Sequence, residues 1–398
     1  MQIGLGLSIT SQLRFGTALY AVNSFDPDFV LDFKNSYYRK GGSNSTLSGS
    51  VTHARAGNAT MVDSDGLIKW APHNLQRYSE EFNNSTWIKS GASVTANAAT
   101  APNGELLADL LYPTSVGGLI YDLTPKTDPY KISCFVKSAG FSWVALGTNT
   151  NNADVSWFNL GSGVVGTVGS NMSSSSITSI GDGWYLCSTT TTTAVGGNAQ
   201  MAMWPTDGDG SRDSTPNGTD GLYIWGAHCH KSDLGGMANN ASQPTGLETY
   251  VPTATSSAVY LPRVGHHVYN GSAWVNEGIL HESEARTNLL LNSGTLSTQN
   301  VTVSATPYTL SFTGTGTVTL TGVSTAGPLV GTGTGENNRV NLTFTPTAGT
   351  LTLTVSGTVT NAQAEAGSTP SSYIPTSGST VTRAAETLTV PAANLPYS

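Results

Sequence analysis

Between residues 310 and 355 the chain alternates apolar with polar or small positions: Leu310 and Phe312, Val318 and Leu320, Leu342 and Phe344, then Leu351, Leu353 and Val355. Successive side chains of a strand point to opposite faces, so a period of two with one apolar face marks a half-buried antiparallel strand. Sheets of such strands hide their apolar faces by packing together, which predicts a β-sandwich over 288–385. A less regular version of the pattern runs through Tyr130–Val136, Trp143–Leu146, Trp184–Cys187, Met201–Trp204 and Leu222–Trp225, and Gly181-Asp182-Gly183 turns the chain into Trp184. Upstream, Met61-Val62-Asp63-Ser64-Asp65-Gly66-Leu67-Ile68 reads as strand, Asp-Gly turn and strand. No long amphipathic helix is expected.

The chain also repeats itself. Asn361-Ala362-Gln363-Ala364-Glu365-Ala366-Gly367, then Ser371-Ser372-Tyr373-Ile374-Pro375-Thr376, closes at Arg383. An earlier, diverged copy reads Trp225-Gly226-Ala227-His228-Cys229-His230-Lys231, then Glu248-Thr249-Tyr250-Val251-Pro252-Thr253, and closes at Arg263. Both contain a Tyr-aliphatic-Pro-Thr step, where proline, lacking an N–H, must end ladder pairing or lie on an edge. The openings match too, Asn74-Leu75-Gln76-Arg77-Tyr78-Ser79 against Asn288-Leu289-Leu290-Leu291-Asn292-Ser293. The chain therefore carries two unequal versions of one module and not a short-period solenoid.

Composition narrows the setting. Only 11% of the 398 residues are charged, whereas 45 are glycine, which suits short strands joined by many turns. With 17 basic against 25 acidic residues the net charge is −8, and no Lys/Arg run is dense enough to follow a phosphate backbone, so nucleic acid is not an expected partner. No apolar run approaches the roughly 18 residues of a membrane span, and Met1–Ser8 lacks the basic start and long apolar centre of a signal peptide. Neither membrane insertion nor general secretory export is expected. Cys134, Cys187 and Cys229 are odd in number and widely spaced, and are assigned to the core as small hydrophobes. In residues 1–25, Ile3, Leu5, Leu7 and Ile9 alternate with glycine and serine among them. Such a segment frays or docks as an added strand on another protein, and docking is the expectation.

Several of these stretches together resemble structural proteins of tailed bacteriophages. They are Asp32-Phe33 with Tyr38, Ala54-Arg55-Ala56, Val62-Asp63-Ser64-Asp65-Gly66-Leu67-Ile68, Gly278-Ile279-Leu280 with Glu282, Glu284-Ala285-Arg286-Thr287-Asn288-Leu289-Leu290, and the closing stretch from Gln363 to Arg383. In that group the Val-Asp-Ser-Asp-Gly stretch runs soon into Pro-Arg, whereas here Leu261-Pro262-Arg263 lies far downstream. The resemblance implies an all-β chain of tandem antiparallel, jelly-roll-like sandwich modules similar to carbohydrate-binding ones. The first module, 71–260, is inserted in a small β platform formed by 26–70 plus 261–287. The second module spans 288–385, and a C-terminal tail spans 386–398. One departure stands out: His228-Cys229-His230 replaces the group's Gln-Leu-Glu.

Trp184 and Trp225 fall in strand patterns and are assigned to the core. Trp143, Trp157 and Trp204 are candidates for stacking on sugar rings, since an indole has a flat apolar body and a polar tip, with burial as the alternative. Asp207, Asp209, Asp213 and Asp220 gather carboxylates in a glycine-rich loop, the oxygen ligands Ca2+ takes, although the spacing is not that of an EF-hand. A solvated turn is the other reading. His228 and His230 alternate on one strand, which places both imidazoles on one side for a shared metal or a pH-dependent contact; His266 and His267 form an adjacent pair. Surface or interface histidines are the plainer reading of both pairs. A sugar hydrolase needs two carboxylates across a cleft. Glu80 and Glu81 would point apart on a strand, and Glu282 and Glu284 sit at the module junction.

The expected function is non-enzymatic: a virion structural protein of the tail-fibre, head-fibre, spike or decoration type on the particle's exterior, docked to other virion proteins through residues 1–25. Its modules would present a surface to host polysaccharide. A polysaccharide depolymerase and a purely architectural protein are the alternatives. The short strands leave many sheet edges and the second module holds no lysine to protect them by charge, so burial between protomers under closed rotational symmetry is expected, and the resemblance, to a group whose fibres and spikes are commonly threefold, implies a homotrimer.

Overall fold

A computed structural model describes residues 27–123, 129–149, 151–192 and 201–396. The proposed docking residues Ile3, Leu5, Leu7 and Ile9 lie outside them. The described chain is nearly all antiparallel β-structure. In the first module one six-stranded sheet runs Met172–Gly181, Trp184–Thr191, Tyr130–Ala139, Gly221–Lys231, Leu106–Pro113 and Ala92–Thr100. Facing it, a second runs Val164–Val168, Val155–Asn159, Trp143–Gly147, Met201–Thr206, Leu119–Asp122 and Ile88–Ser90. Leu111, Ile132, Val136, Val144, Leu146, Phe158, Met203 and Ile224 fill the space between, as alternation requires. Cys134, Cys187 and Cys229 belong to the same core and are not disulfide-bonded.

The second module is smaller. Gln299–Val303, Gly349–Ser356, Thr317–Gly322 and Leu329–Val330 face Val340–Phe344, Tyr308–Gly314 and Val359–Ala366. Leu310, Phe312, Val318, Leu320, Leu351 and Leu353, expected on one face, are all buried in its core.

The repeated sequence words become repeated hydrogen bonding. Asn74 Nδ2 donates to the carbonyls of Ala227 (3.0 Å) and Val251 (2.7 Å), and its Oδ1 accepts from the amides of Gln76 and Cys229 (both 2.9 Å). Asn288 does the same in the second module, donating to Ala362 (3.0 Å) and Ile374 (2.8 Å) and accepting from Leu290 and Ala364 (both 3.2 Å). Ser79 Oγ lies 2.7 Å from Tyr250 Oη and accepts from Thr253 N at 2.8 Å. Ser293, Tyr373 and Thr376 repeat both distances. Each asparagine thus clasps the opening of its module to the last long strand and to the Tyr-aliphatic-Pro-Thr step. Gly226 (φ 65°) and Asn361 (φ 48°) occupy equivalent register shifts, where a bulge places one residue in the left-handed region that glycine and asparagine tolerate.

The platform is built from short pieces. Thr60–Val62 and Ile68–Trp70 form the expected hairpin, with Gly66 at φ 78° and Asp63 Oδ1 accepting from the amides of Asp65 and Leu67. Arg263–Tyr269 and Trp274–Leu280 make a second hairpin. His73–Asn74 pairs with Val259–Tyr260, so the chain enters and leaves the first module on adjacent strands. Within the C-terminal tail, Glu386–Thr389 pairs with Thr52–Arg55. The cause is charge. Arg263 reaches Glu282 at 2.7 Å and Glu386 at 2.9 Å, Arg55 also pairs with Glu386, and Arg383 lies 3.1 Å from Glu282. A buried guanidinium without a counter-charge is very unfavourable, so these groups fold together or not at all. Burial opposes ionisation of Glu386, but the His53 and Arg263 side chains beside it outweigh this and hold its carboxyl well below the usual range.

Candidate functional site

Because side chains alternate along Trp143–Gly147, Val155–Asn159 and Met201–Thr206, the residues that do not enter the core form a second face. Trp143, Ala145, Val155, Trp157, Ala202 and Trp204 lie there. Ala145 pairs with Trp157 on one side and Trp204 on the other, so the two indoles stand two strand spacings apart, about 10 Å. The small residues Ala145, Gly147 and Ala202 lie along this face beside the indoles.

This face is covered. Residues 207–220 cross it as a strap: Trp157 Nε1 donates to Ser211 O at 2.6 Å, and the Arg212 guanidinium stacks 5.5 Å from the Trp204 ring centre. Arg212 Nε also donates to Asn152 Oδ1 at 2.9 Å, and Thr167 N to Asp209 Oδ1 at 2.6 Å. Trp157 and Trp204 are each only 1% exposed, which corrects their reading as exposed stacking platforms; Trp143 is half-buried. Trp184 and Trp225 are buried, but on the outward face of the other sheet, under Leu247 and Tyr250.

Asp207 and Asp209 hold the strap through their carboxylates, and Asp213 and Asp220 are tied into it through their main chain. Asp207 accepts from the amide (3.2 Å) and hydroxyl (2.7 Å) of Thr215, while its own amide donates to Asp213 O at 3.0 Å. Asp209 holds Thr167, and Asp220 takes its place through Asn217 Oδ1, which accepts from its amide at 2.8 Å. Among the described residues no three His, Cys, Asp or Glu side chains are grouped to hold a metal, so the Ca2+ loop expected from Asp207, Asp209, Asp213 and Asp220 is not assembled. Only Asp207 and Asp220 share a wall, that of a polar cavity of about 170 Å3 with Ser142, Thr206 and Thr215. A larger, mainly apolar cavity of about 190 Å3 lies where the platform meets the first module, lined by Leu47, Val51, His53, Pro72, Tyr260 and Val264 among others.

His228 and His230 do face the same side, with ring centres 5.0 Å apart. They are buried instead of lying at the surface, and a third histidine that sequence reasoning missed, His73, joins them. Its position directly before the repeated Asn74 was the available signal. In the second module Gln363 and Glu365 occupy the matching positions, and there Gln363 Nε2 donates to Ser371 Oγ at 3.0 Å and Ser371 N to Glu365 Oε1 at 2.7 Å. His266 and His267 lie in the platform hairpin, where Val62 N donates to His266 Nδ1 at 3.1 Å. Of the acidic pairs, Glu80 accepts from Tyr250 Oη at 2.9 Å and Glu81 is exposed; Glu282 is committed to Arg263 and Arg383, while Glu284 projects outward beside Arg286.

No family model and no curated protein matches the chain. Among solved structures, the tandem CBM22-1-CBM22-2 domain from the N-terminus of Paenibacillus barcinonensis Xyn10C aligns over 85% of this chain and 100% of its own, at 11% identity and a TM-score of 0.24. A likeness that slight carries no argument, and the assignment to tandem antiparallel β-sandwiches rests on the strands described above. Among the described residues no helix is long and apolar enough to cross a membrane.

Proposed function

We propose that this chain is a non-enzymatic structural protein of a bacteriophage particle, carried on its exterior, whose two sandwich modules project from the platform for attachment to host surface polysaccharide. The observation that carries the reading is the buried knot of Arg55, Arg263, Glu282, Arg383 and Glu386. Three of these five residues, Arg55, Glu282 and Arg383, belong to the separate stretches on which the resemblance to phage structural proteins rests. Their convergence gives that combination a physical reason, since each charge needs the others. The knot joins the platform to the ends of both modules, which suits a protein that transmits position and bears load. Glu282 and Glu80, the acids a hydrolase would call upon, are engaged in this scaffold and in the clasp at Tyr250.

In this reading residues 1–25 dock to other virion proteins and the chain assembles as a homotrimer with the platform near the axis, which closes its exposed edges. Deleting residues 1–25 leaves soluble, folded modules that no longer join particles; normal incorporation of the truncated chain overturns the anchor. Mass photometry of the intact protein at micromolar concentration gives the mass of three chains, and a stable monomer overturns the trimer. Incubation with purified host polysaccharide gives retention without cleavage, and release of reducing ends overturns the non-enzymatic reading.

A further inference from the structure

We propose that the junction between the platform and the first module is an acid-labile seam, closed by three neutral histidines and opened when they take up protons. The rings of His73, His228 and His230 lie together, with centres 5.0 Å apart for His228 and His230 and 6.2 Å for His73 and His230. Their hydrogen bonds fix every tautomer. His73 Nε2 faces the amide of Lys231 at 3.1 Å and is therefore an acceptor, so its Nδ1 carries the proton and donates to Ala71 O at 2.8 Å. His228 Nε2 faces the carbonyl of His73 at 3.0 Å and must donate, which leaves its Nδ1 to accept from His230 Nδ1 at 3.2 Å. All four ring nitrogens of His73 and His228 are thus used in the neutral form. An added proton on His73 sets two donors against each other at Lys231, and one on His228 does the same at His230 while that ring keeps its proton on Nδ1, so His230 must change tautomer to accommodate it.

The surroundings offer such a proton no compensation. The strand Tyr130–Ala139 brings Lys131, the histidines' own strand brings Lys231 and Cys229, the exit from the first module brings Tyr250 and Tyr260, and Arg55 acts from the platform. Asp233 is bound to Trp70 Nε1 at 2.6 Å, and among the described residues none of the three rings bonds to a carboxylate. Burial accordingly pushes His73 down to about 4 and His228 to about 3, and drives His230 well below its ordinary 6.5. The location gives this chemistry a consequence. His73 is on the strand that enters the first module, and Trp70, next to Ala71, bonds through its main chain to Gly236 and Ala238. Opening here loosens the root of the inserted module while the clasp and core of the second stay intact.

The sign follows from linkage. An open seam lets the imidazoles titrate near 6.5, whereas the closed one holds them neutral, so stability is fully present above that value and falls as the pH drops below it. Three protons taken up together make the opening equilibrium rise by about a thousandfold per pH unit within that window. The test is hydrogen exchange of the intact protein, corrected for intrinsic rate, read by mass spectrometry from pH 7.5 to 4.5. Peptides covering 71–75 and 225–231 lose protection with a slope approaching three, while those covering 308–314 keep theirs. In His228→Gln, whose amide can donate to His73 O and accept from His230, the slope falls towards two. Imidazole NMR of the wild type gives an independent reading: protonation of the three rings coincides with loss of seam protection. Unchanged seam protection down to pH 4.5, independent titration of the three rings near 6.5 with the seam closed, or simultaneous loss of protection in the second module each overturns the proposal.

Discussion

Asn288→Ala tests the clasp most directly. The asparagine is fully buried, and its side chain satisfies two carbonyls, Ala362 and Ile374, and two amides, Leu290 and Ala364. Alanine leaves those four main-chain groups inside the module without this partner. Each buried, unsatisfied group costs about 1–3 kcal/mol, so the low end of the sum is about 4 kcal/mol even after some relaxation. A domain of this kind has a total stability of about 5–15 kcal/mol, so at least about a quarter of the second module's margin disappears. At about 4–8 °C per kcal/mol, its melting temperature falls by about 15 °C or more. Urea titration of the full-length protein, followed by exchange protection of residues 308–314 and 359–366, reads the effect on this module alone. Asn74→Ala is expected to act equally on the first module through its identical set of four partners. A loss below about 1 kcal/mol in both variants refutes the claim that these side chains close the modules, since it would mean that water replaces them at little cost.

Three further outcomes follow. Glu386→Gln leaves Arg55 and Arg263 buried with one counter-charge fewer and destabilises the platform by about 3–5 kcal/mol in denaturant titration. Because the folded carboxyl is held well below its ordinary 4.5, Glu386 stabilises fully above that value and its contribution declines as the pH falls from there towards the lower folded value; the variant lacks this acid limb of the stability curve. Arg212→Ala removes the stacking contact on Trp204 and loosens the strap, which raises acrylamide quenching of tryptophan fluorescence; unchanged quenching shows that Ser211 and Asp209 hold the strap alone. Added Ca2+ leaves the melting temperature unchanged, because Asp207 and Asp209 are already bound to Thr215 and Thr167, and a rise of several degrees refutes that assignment.

What the sequence determined by itself was local and periodic. Alternation at Leu310, Phe312, Val318, Leu320, Leu351 and Leu353 fixed which side chains enter a core, because a strand offers only two faces. Asp63 to Gly66 fixed a turn, and the duplicated Asn, Ser, Tyr and Thr announced one structural device used twice. Three things were decided only in tertiary structure. Period two assigns a residue to a face but not what covers that face, so the choice between sugar stacking and burial for Trp157 and Trp204 depends on the path of the strap. Proximity in sequence placed Asp207, Asp209, Asp213 and Asp220 in one loop, yet the carboxylates of Asp207 and Asp209 go to separate anchors, Thr215 and Thr167, while Asp213 and Asp220 are held through their main chain. Arg55 and Glu386 are 331 positions apart, and nothing local in either stretch marks the other as its counter-charge. Their pairing follows from burial: once folding removes water from Arg55 and Arg263, the free energy of those charges selects the strand that brings Glu386 to them.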